Sequence, residues 1–193
     1  ENGVTVRACL RAVQALRQRR LGQPMMLMGY LNPLLAYGPQ QFVNDARAAG
    51  ADGLIIPDLP PEEAAEWIAL CRAAGLALGF FLAPTSSPER IALAASQASG
   101  FIYVVSLTGV TGARTALAAD LAVFLANVKA QAGCLPLVLG FGIGTPEQAA
   151  QVNRLTDGFS VGSALVRAAE AGAAAAAGLA AEIVRAIRAP STV

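Results

Sequence analysis

Short apolar runs alternate with amphipathic segments along most of the chain. The six runs are MMLMGY at 25–30, GLIIPD at 53–58, LALGFFLAP at 76–84, FIYVVSL at 101–107, LPLVLGFG at 135–142 and DGFSVGS at 157–163. Their starts fall about 22 to 35 residues apart. Strands that are apolar on both faces are typical of a parallel sheet covered by helices. The pattern therefore predicts six βα units, preceded by one helix in VTVRACLRAVQALRQRR.

Residues that end and begin helices stand where this pattern needs them. Four glycines close an amphipathic segment a few residues before a strand, where a left-handed residue is favoured: Gly50, Gly75, Gly100 and Gly133. Ser-Pro-Glu at 87–89 and Thr-Pro-Glu at 145–147 each combine an N-cap residue, a proline and an acid at the start of a helix.

Six βα units fall two short of a closed barrel. A (β/α)8 barrel has eight units and takes about 250 residues, whereas an open six-stranded sheet would leave two unpaired edges. We therefore predict an α/β fold, a TIM (β/α)8 barrel that lacks about its first two βα units. The prediction places residues 1–193 in a single domain, with the six runs as strands three to eight and one helix before them.

Composition removes several classes of function. The chain is 55% hydrophobic and 14% charged with a net charge of +1, so it carries no basic surface for nucleic acid. Its apolar runs are shorter than the roughly 20 residues that a membrane span needs, so we expect a soluble, cytoplasmic protein. The three cysteines are widely spaced, and we expect them to be reduced.

The absence of histidine excludes further kinds of catalytic and metal site. Without histidine there is no Ser-His or Cys-His dyad and no histidine-ligated metal, and no metal site is predicted. The one lysine, Lys129, lies in a helical pattern, which argues against a Schiff-base lysine at the end of a strand. Carboxylates, tyrosines and backbone dipoles remain as the groups that could act.

Three consecutive strand ends carry glycine and hydroxyl residues. The fourth run leads into SLTGVTGAR, the fifth ends in GFGIGTPE, and in the sixth Gly162 and Ser163 open a helix. The N-terminus of a helix offers backbone N–H groups and a positive dipole end to an anion. Each feature alone is compatible with ordinary turns, but the three together favour binding of a phosphate ester.

Other residues at strand ends leave alternatives open. Asp58 follows the second run and is a candidate catalytic acid, a helix N-terminal acid or a subunit contact. Tyr103 alternates with Ile102 and Val104, so it points either into the barrel or onto the helices, as a core or a ligand-binding residue. Asp52 directly precedes the second run and Asp157 is the first residue of the sixth, at the opposite ends of the strands, where a role in stability is expected.

The stretches MGYLNPLLAYG, GLIIPDLPPEE, YVVSLTGVTGAR, LGFGIGTPEQ and DGFSVGSALV, in this order, closely resemble the tryptophan synthase α subunit family. The resemblance covers nearly all of the chain. It implies a (β/α)8 lyase of tryptophan biosynthesis that cleaves indole-3-glycerol phosphate, by retro-aldol chemistry, to indole and glyceraldehyde 3-phosphate. It also implies a β-subunit partner in an α2β2 heterotetramer. No cofactor is expected in this chain, because pyridoxal phosphate belongs to the β subunit.

The resemblance also implies roles for individual residues. Those that match the phosphate site are Gly112, Phe141, Gly142, Gly162 and Ser163. Tyr103 matches a tyrosine near the glycerol chain, and Thr111 matches a loop threonine that positions the catalytic acid. The indole pocket corresponds to Met28, Tyr30, Ile55 and Phe81. The surface that faces the β subunit corresponds to Asn32, Asp58 and Pro60, which moves Asp58 from catalyst toward interface residue.

The catalytic pair of the family has no counterpart in this chain. The family's Glu and Asp belong to a segment before the helix with which the chain begins, and neither Glu1 nor Asp45 matches them. No catalytic residue is therefore assigned, and we expect this chain alone to be inactive. Two alternatives are a non-catalytic module that binds phosphate or the β subunit, and another phosphate-handling barrel such as an isomerase of the same pathway or a thiazole synthase. The lack of lysine and histidine at the strand ends argues against the barrels that use lysine chemistry.

Overall fold

The computed structural model describes residues 3–105, 115–140 and 142–188, with the backbone alone at 115–120. Helices and strands alternate through most of these residues. The α-helices are α1 (Val6–Gln18), α2 (Leu31–Tyr37), α3 (Pro39–Ala49), α4 (Ala65–Ala74), α5 (Pro88–Gln97), α6 (Thr115–Ala132), α7 (Pro146–Val152), α8 (Ser163–Glu170) and α9 (Ala173–Arg188). The strands are β1 (Met26–Met28), β2 (Gly53–Ile55), β3 (Ala77–Leu82), β4 (Ile102–Val105), β5 (Leu137–Gly140) and β6 (Gly158–Ser160).

Each of the six predicted strands is confirmed, although each is shorter than its apolar run. The helix expected before the first strand is α1, with Thr5 as its N-cap. Helix α2 was not predicted, because its seven residues contain Pro33 and resemble a turn. Proline is tolerated there, since Pro33 lies in the first helical turn, where its missing N–H would have no partner.

The chain divides into two compact units. Unit 1 contains Glu1–Phe81 and Ala92–Phe101, and unit 2 contains Leu82–Ile91 and Ile102–Val193. In unit 1 the strands β1, β2 and β3 pair in parallel and in chain order, and in unit 2 β4, β5 and β6 do the same. The α/β class with parallel strands is therefore confirmed. The single domain and the absence of two βα units stay predictions.

In each unit one face of the sheet is more deeply buried than the other. The fully buried side chains on one face are Leu54, Leu78 and Phe80 in unit 1 and Ile102, Val104, Leu137 and Leu139 in unit 2. The alternate positions form a more accessible face, which carries Met28 and Phe81 in unit 1 and Tyr103 in unit 2. Because side chains alternate along a strand, the register decides which residues share the accessible face.

The predicted helix ends are confirmed. The φ angles of Gly50, Gly75, Gly100 and Gly133 are 94°, 67°, 90° and 61°. Thr145 and Gln148 form a capping box at the start of α7, and the Ser87 hydroxyl accepts a hydrogen bond of 3.3 Å from the N–H of Arg90 in α5. Local sequence thus determines where these helices begin and end.

The three cysteines are free thiols. Cys71 is buried in α4, and burial raises the pKa of its thiol to about 11. Cys9 and Cys134 are exposed.

Three side chains hold the starts of strands by the same kind of hydrogen bond. Each stands directly before a glycine that leads into an even-numbered strand, and each accepts from a backbone N–H at the start of the preceding strand. The Asp52 carboxylate accepts from Met25 at 2.6 Å, the Ser99 hydroxyl from Leu78 at 2.9 Å and the Asp157 carboxylate from Leu137 at 2.9 Å. We call these three contacts the strand-start hydrogen bonds.

Both carboxylates also pair with a cation from a helix. Lys129 of α6 forms an ion pair with Asp157, and Arg17 of α1 forms one with Asp52. The Arg17 guanidinium also donates to three carbonyl groups, at 2.7 Å to Gly50, 2.7 Å to Leu21 and 2.9 Å to Gln23. Arginine can make several such bonds at once because its guanidinium group is planar and carries several N–H donors. The single ammonium group of a lysine would not reproduce this geometry.

Replacing Asp157 by Asn should lower stability in a pH-dependent way. The hydrogen bond from Lys129 and then that from the Leu137 N–H lower the pKa of the Asp157 carboxyl. A lowered pKa stabilises the fold above the unfolded-state value of about 3.9, and this stabilisation is lost as the pH falls through the folded-state pKa. Asp157→Asn should therefore reduce the melting temperature at pH 7, and its difference from the parent chain should shrink as the pH falls below about 4.

Ser99→Ala is the matched control, since it removes a strand-start hydrogen bond that does not titrate. Its effect on the melting temperature should stay constant over the same pH range. An Asp157→Asn difference that is equally constant would contradict the proposed source of the pH dependence.

Candidate functional site

Helix α8 begins shortly after the end of β6 in the sequence. Gly162 is its N-cap residue, and no side chain among the described residues caps this end of the helix. Thr5 caps α1 and Thr145 caps α7 through side-chain hydrogen bonds, whereas the N-cap residues of α3 and α4, like that of α8, make none. Gly162 and Ser163 are exposed. The first N–H groups of α8, together with the Ser163 hydroxyl, are therefore placed to bind an anion.

The loop after β5 lies against this helix start. Gly142 has a φ of 76°, which favours glycine, and it is exposed. A Cβ atom at Gly144 would lie 3.5 Å from the Cβ of Ala164 in the first turn of α8. The structure thus brings the Gly142 loop and the Gly162–Ser163 helix start together within unit 2. The other predicted phosphate-site residues, Gly112 and Phe141, lie outside the described residues, as does Thr111.

Part of the glycine loop already has a hydrogen-bond partner. The Gly144 N–H donates to Oε1 of Gln148 at 2.8 Å, and the Thr145 N–H donates to the same oxygen at 3.2 Å. These two N–H groups belong to the cap of α7 and already donate to Gln148. An anion at this edge would therefore take its hydrogen bonds from the N–H groups at the start of α8.

Tyr103 of β4 packs over Gly140 of β5. A Cβ atom built on Gly140 would lie 1.9 Å from Oη of Tyr103 and 2.2 Å from its Cε1. Only glycine leaves room for the ring in this position. The sequence shows Gly140 as a site of close approach, and the structure identifies the approaching group as the Tyr103 phenol. The register could have indicated this, because Tyr103 pairs with Val138, two residues before Gly140.

The predicted indole-pocket residues lie in unit 1, and those in strands share one face of its sheet. Met28 pairs with Ile55, and Ile55 pairs with Gly79, two residues before Phe81. Ile55 is buried and Phe81 is half-buried, whereas Met28 is 63% exposed at the end of β1. Tyr30 follows just beyond and is 68% exposed. Large apolar side chains of this exposure at a strand end are suited to contact a ligand or a partner.

Asp58 has a structural partner at the start of α2. Its carboxylate accepts a hydrogen bond of 2.8 Å from the N–H of Leu31, the first residue of that helix. The N-cap residue Tyr30 makes no such bond with its side chain, so Asp58 serves as the helix N-terminal acid. Asn32, in the same helical turn, is exposed, and Pro60 is half-buried. This geometry agrees with one of the three alternatives for Asp58, and the contact with the β subunit stays a prediction.

The described residues contain neither a cluster of metal ligands nor a membrane-spanning helix. They contain no group of three or more His, Cys, Asp or Glu residues that could hold a metal ion. Within the same residues, no helix is both long enough and apolar enough to cross a membrane.

A family model described as "Tryptophan synthase alpha chain" matches residues 1–189. The chain belongs to the tryptophan synthase alpha chain family. The resemblance drawn from the motifs is therefore confirmed, and membership of this family supports a role in tryptophan biosynthesis.

Individual members of the family agree with this assignment. The tryptophan synthase alpha chains of Chloroflexus aurantiacus and Chloroflexus aggregans are 53% and 54% identical to this chain over 166 residues. In both cases the match covers 86% of this chain and 62% of the relative. The chain thus spans about 62% of the length of these curated relatives.

Solved structures show the same fold. The tryptophan synthase alpha chain of Legionella pneumophila is 36% identical, with a TM-score of 0.87 over 98% of this chain and 72% of that one. A tryptophan synthase structure from Mycobacterium tuberculosis is 40% identical, with a TM-score of 0.87 over 97% of this chain and 71% of that one.

Gly140→Ala should displace the Tyr103 ring and destabilise the sheet of unit 2, because the added methyl group overlaps the phenol. We expect a loss of about 1–3 kcal/mol in the free energy of unfolding, as for overpacking a core. Chemical denaturation measures the loss, and near-ultraviolet circular dichroism reports the tyrosine.

Gly158→Ala on the neighbouring strand is the control. Its Cβ would lie 3.7 Å from Cγ2 of Val138, an ordinary contact, so little change is expected. Equal losses of stability in the two variants would show that the loss comes from replacing any glycine in a strand and not from overlap with the Tyr103 ring.

Proposed function

We propose that the full-length protein containing this chain cleaves indole-3-glycerol phosphate to indole and glyceraldehyde 3-phosphate by a retro-aldol reaction. The observation that carries the proposal is the start of α8, which no described side chain caps, beside the Gly142 loop in a chain of this family. This chain provides binding groups for the substrate.

The phosphate binds at the start of α8. A phosphate ester carries up to two negative charges, and the positive end of a helix stabilises a nearby anion by about 0.3–1 kcal/mol. The N–H groups of Ser163 and Ala164 and the Ser163 hydroxyl donate to its oxygens, and the Gly142 loop closes one side. Gly112 and Phe141 belong to the same proposed site by their match to the family.

Other groups contact the rest of the substrate. Tyr103 lies on the accessible face of its sheet, where its hydroxyl is assigned to the glycerol chain. The apolar side chains of Met28, Tyr30, Ile55 and Phe81 are assigned to the indole ring. Thr111 is assigned to positioning the catalytic acid when its loop closes.

The acid and base of the reaction are proposed to lie outside these 193 residues. One carboxyl group must protonate indole C3 and another must take the N–H proton, and each such group contributes roughly 10²–10⁴ to the rate. Asp58 already accepts a bond from the Leu31 N–H. We therefore assign the pair to the family's Glu and Asp, in a segment before α1, and expect no turnover from this chain alone. The reaction uses no pyridoxal phosphate.

A β-subunit partner is proposed on the same basis, with an α2β2 assembly. The contact surface includes Asn32, Asp58 and Pro60 around the start of α2. The alternative, a non-catalytic module that only activates the β subunit, predicts that this chain changes β activity when the two are mixed, while the full-length protein releases no indole.

Ser163→Asp in the full-length protein tests the phosphate site. A carboxylate at the first residue of α8 competes with phosphate for the same N–H groups and repels it. We expect the affinity for glycerol 3-phosphate to fall by more than about tenfold, since charge-assisted hydrogen bonds are lost. The KM for indole-3-glycerol phosphate should rise in indole-release assays. The melting temperature should hold or rise, because an acid favours a helix start.

Ser87→Asp is the matched control. It adds the same charge at the start of α5 in unit 2, where an aspartate caps a helix as well as serine does. Its affinity for glycerol 3-phosphate should match that of the parent protein. Equal losses in both variants, or unchanged affinity in Ser163→Asp, would refute the proposed site. Failure of the full-length protein to release indole would refute the reaction and leave phosphate binding as a separate result.

A further inference from the structure

A second concave site lies on unit 1 between α1 and α3, and it includes none of the residues assigned to the substrate. The cleft has a volume of about 270 Å³. Helix α1 contributes Arg7, Arg11 and Gln14, whose spacing of four and three residues places them on one face of the helix. Tyr37 at the end of α2 and Asp45 of α3 complete its polar lining.

The two arginines of the cleft have no carboxylate partner among the described residues. Arg11 is exposed and forms no hydrogen bond or ion pair there. The guanidinium of Arg7 lies 4.9 Å from the centre of the Tyr37 ring, in a cation–π contact that fixes its position. Arg17 of the same helix is different, because carbonyl groups and Asp52 satisfy its donors.

The one acid in the lining is engaged by a neutral donor. The Tyr37 hydroxyl donates to the Asp45 carboxylate at 2.7 Å, and this bond raises the pKa of Tyr37. The phenol therefore stays neutral, and two guanidinium groups face one carboxylate. The lining carries a net positive charge, which attracts an anion.

The inner surface of the cleft is apolar. Leu10 and Ala49 line it, and both are buried to more than nine-tenths. The volume lies slightly below the lower limit of about 300 Å³ for typical ligand pockets, so the site accepts a small molecule. An apolar floor below two cations suits an organic acid better than an inorganic anion.

We propose that this cleft binds a small carboxylate with a compact apolar body. Its carboxylate bonds to the Arg11 and Arg7 guanidinium groups, whose planar donors match a carboxylate, and the Gln14 amide donates to it as well. Its apolar part covers Leu10 and Ala49. The inference does not depend on the proposed lyase activity.

Titration of the full chain with benzoate tests this site, with benzamide as the neutral analogue of the same shape. Benzoate in the millimolar range should shift the backbone amide signals of Arg11 and Ala48 in a saturable way, and benzamide should not. Arg11→Ala should weaken benzoate binding by at least about tenfold, the effect of losing a charge-assisted hydrogen bond. Its melting temperature should be unchanged, because Arg11 bonds to no described residue.

Arg47→Ala is the matched control, since Arg47 is an exposed arginine of α3 outside the cleft. It should retain the affinity of the parent chain. Equal weakening in both variants, equal binding of benzamide, or no saturation by benzoate would overturn the proposal. Inorganic phosphate that displaces benzoate at equal concentration would overturn the assignment to a carboxylate.

Discussion

The parallel register of the strands within each unit is the constraint on which the site depends. A shift by one residue would move every side chain of a strand to the opposite face. The strand-start hydrogen bonds of Asp52, Ser99 and Asp157 oppose such a shift, because each ties the beginning of one strand to the residues that lead into the next. Tyr103 consequently meets Gly140, and Met28 shares a face with Ile55.

The site itself gives up some local stability. Helices α1, α5 and α7 have side-chain caps, but α8 begins at Gly162 without one among the described residues, as do α3 and α4 at their own N-cap residues. With glycine as the N-cap residue, the missing side-chain cap costs roughly a few tenths of a kcal/mol, and a bound anion can offset that cost. The backbone N–H groups that a side-chain cap would occupy are thereby left for a ligand. The opposite ends of the strands, with their paired carboxylates, serve stability instead.

Local patterns in the sequence were sufficient for much of the fold. The apolar runs predicted all six strands, and the glycines and the Ser87 and Thr145 caps predicted where helices end and begin, because these features act over a few residues. Helix α2 was missed since it is short and contains Pro33. The motifs identified the family, which spacing alone could not have done.

Contacts between residues distant in sequence could not be predicted from such local patterns. Asp58 reaches the N–H of Leu31 across 27 positions, and its role depends on where β1 and β2 end. The packing of Tyr103 on Gly140 depends on strand register, and the cleft of Arg7 and Arg11 depends on how α1 lies beside α3. Each of these needs the tertiary structure.

The most direct measurement is to locate glycerol 3-phosphate on the full-length protein by crystallography. We predict that its phosphate oxygens lie within hydrogen-bond distance of the Ser163 N–H and against Gly142. A phosphate bound at any other place on unit 2, with the start of α8 left open to water, would contradict it.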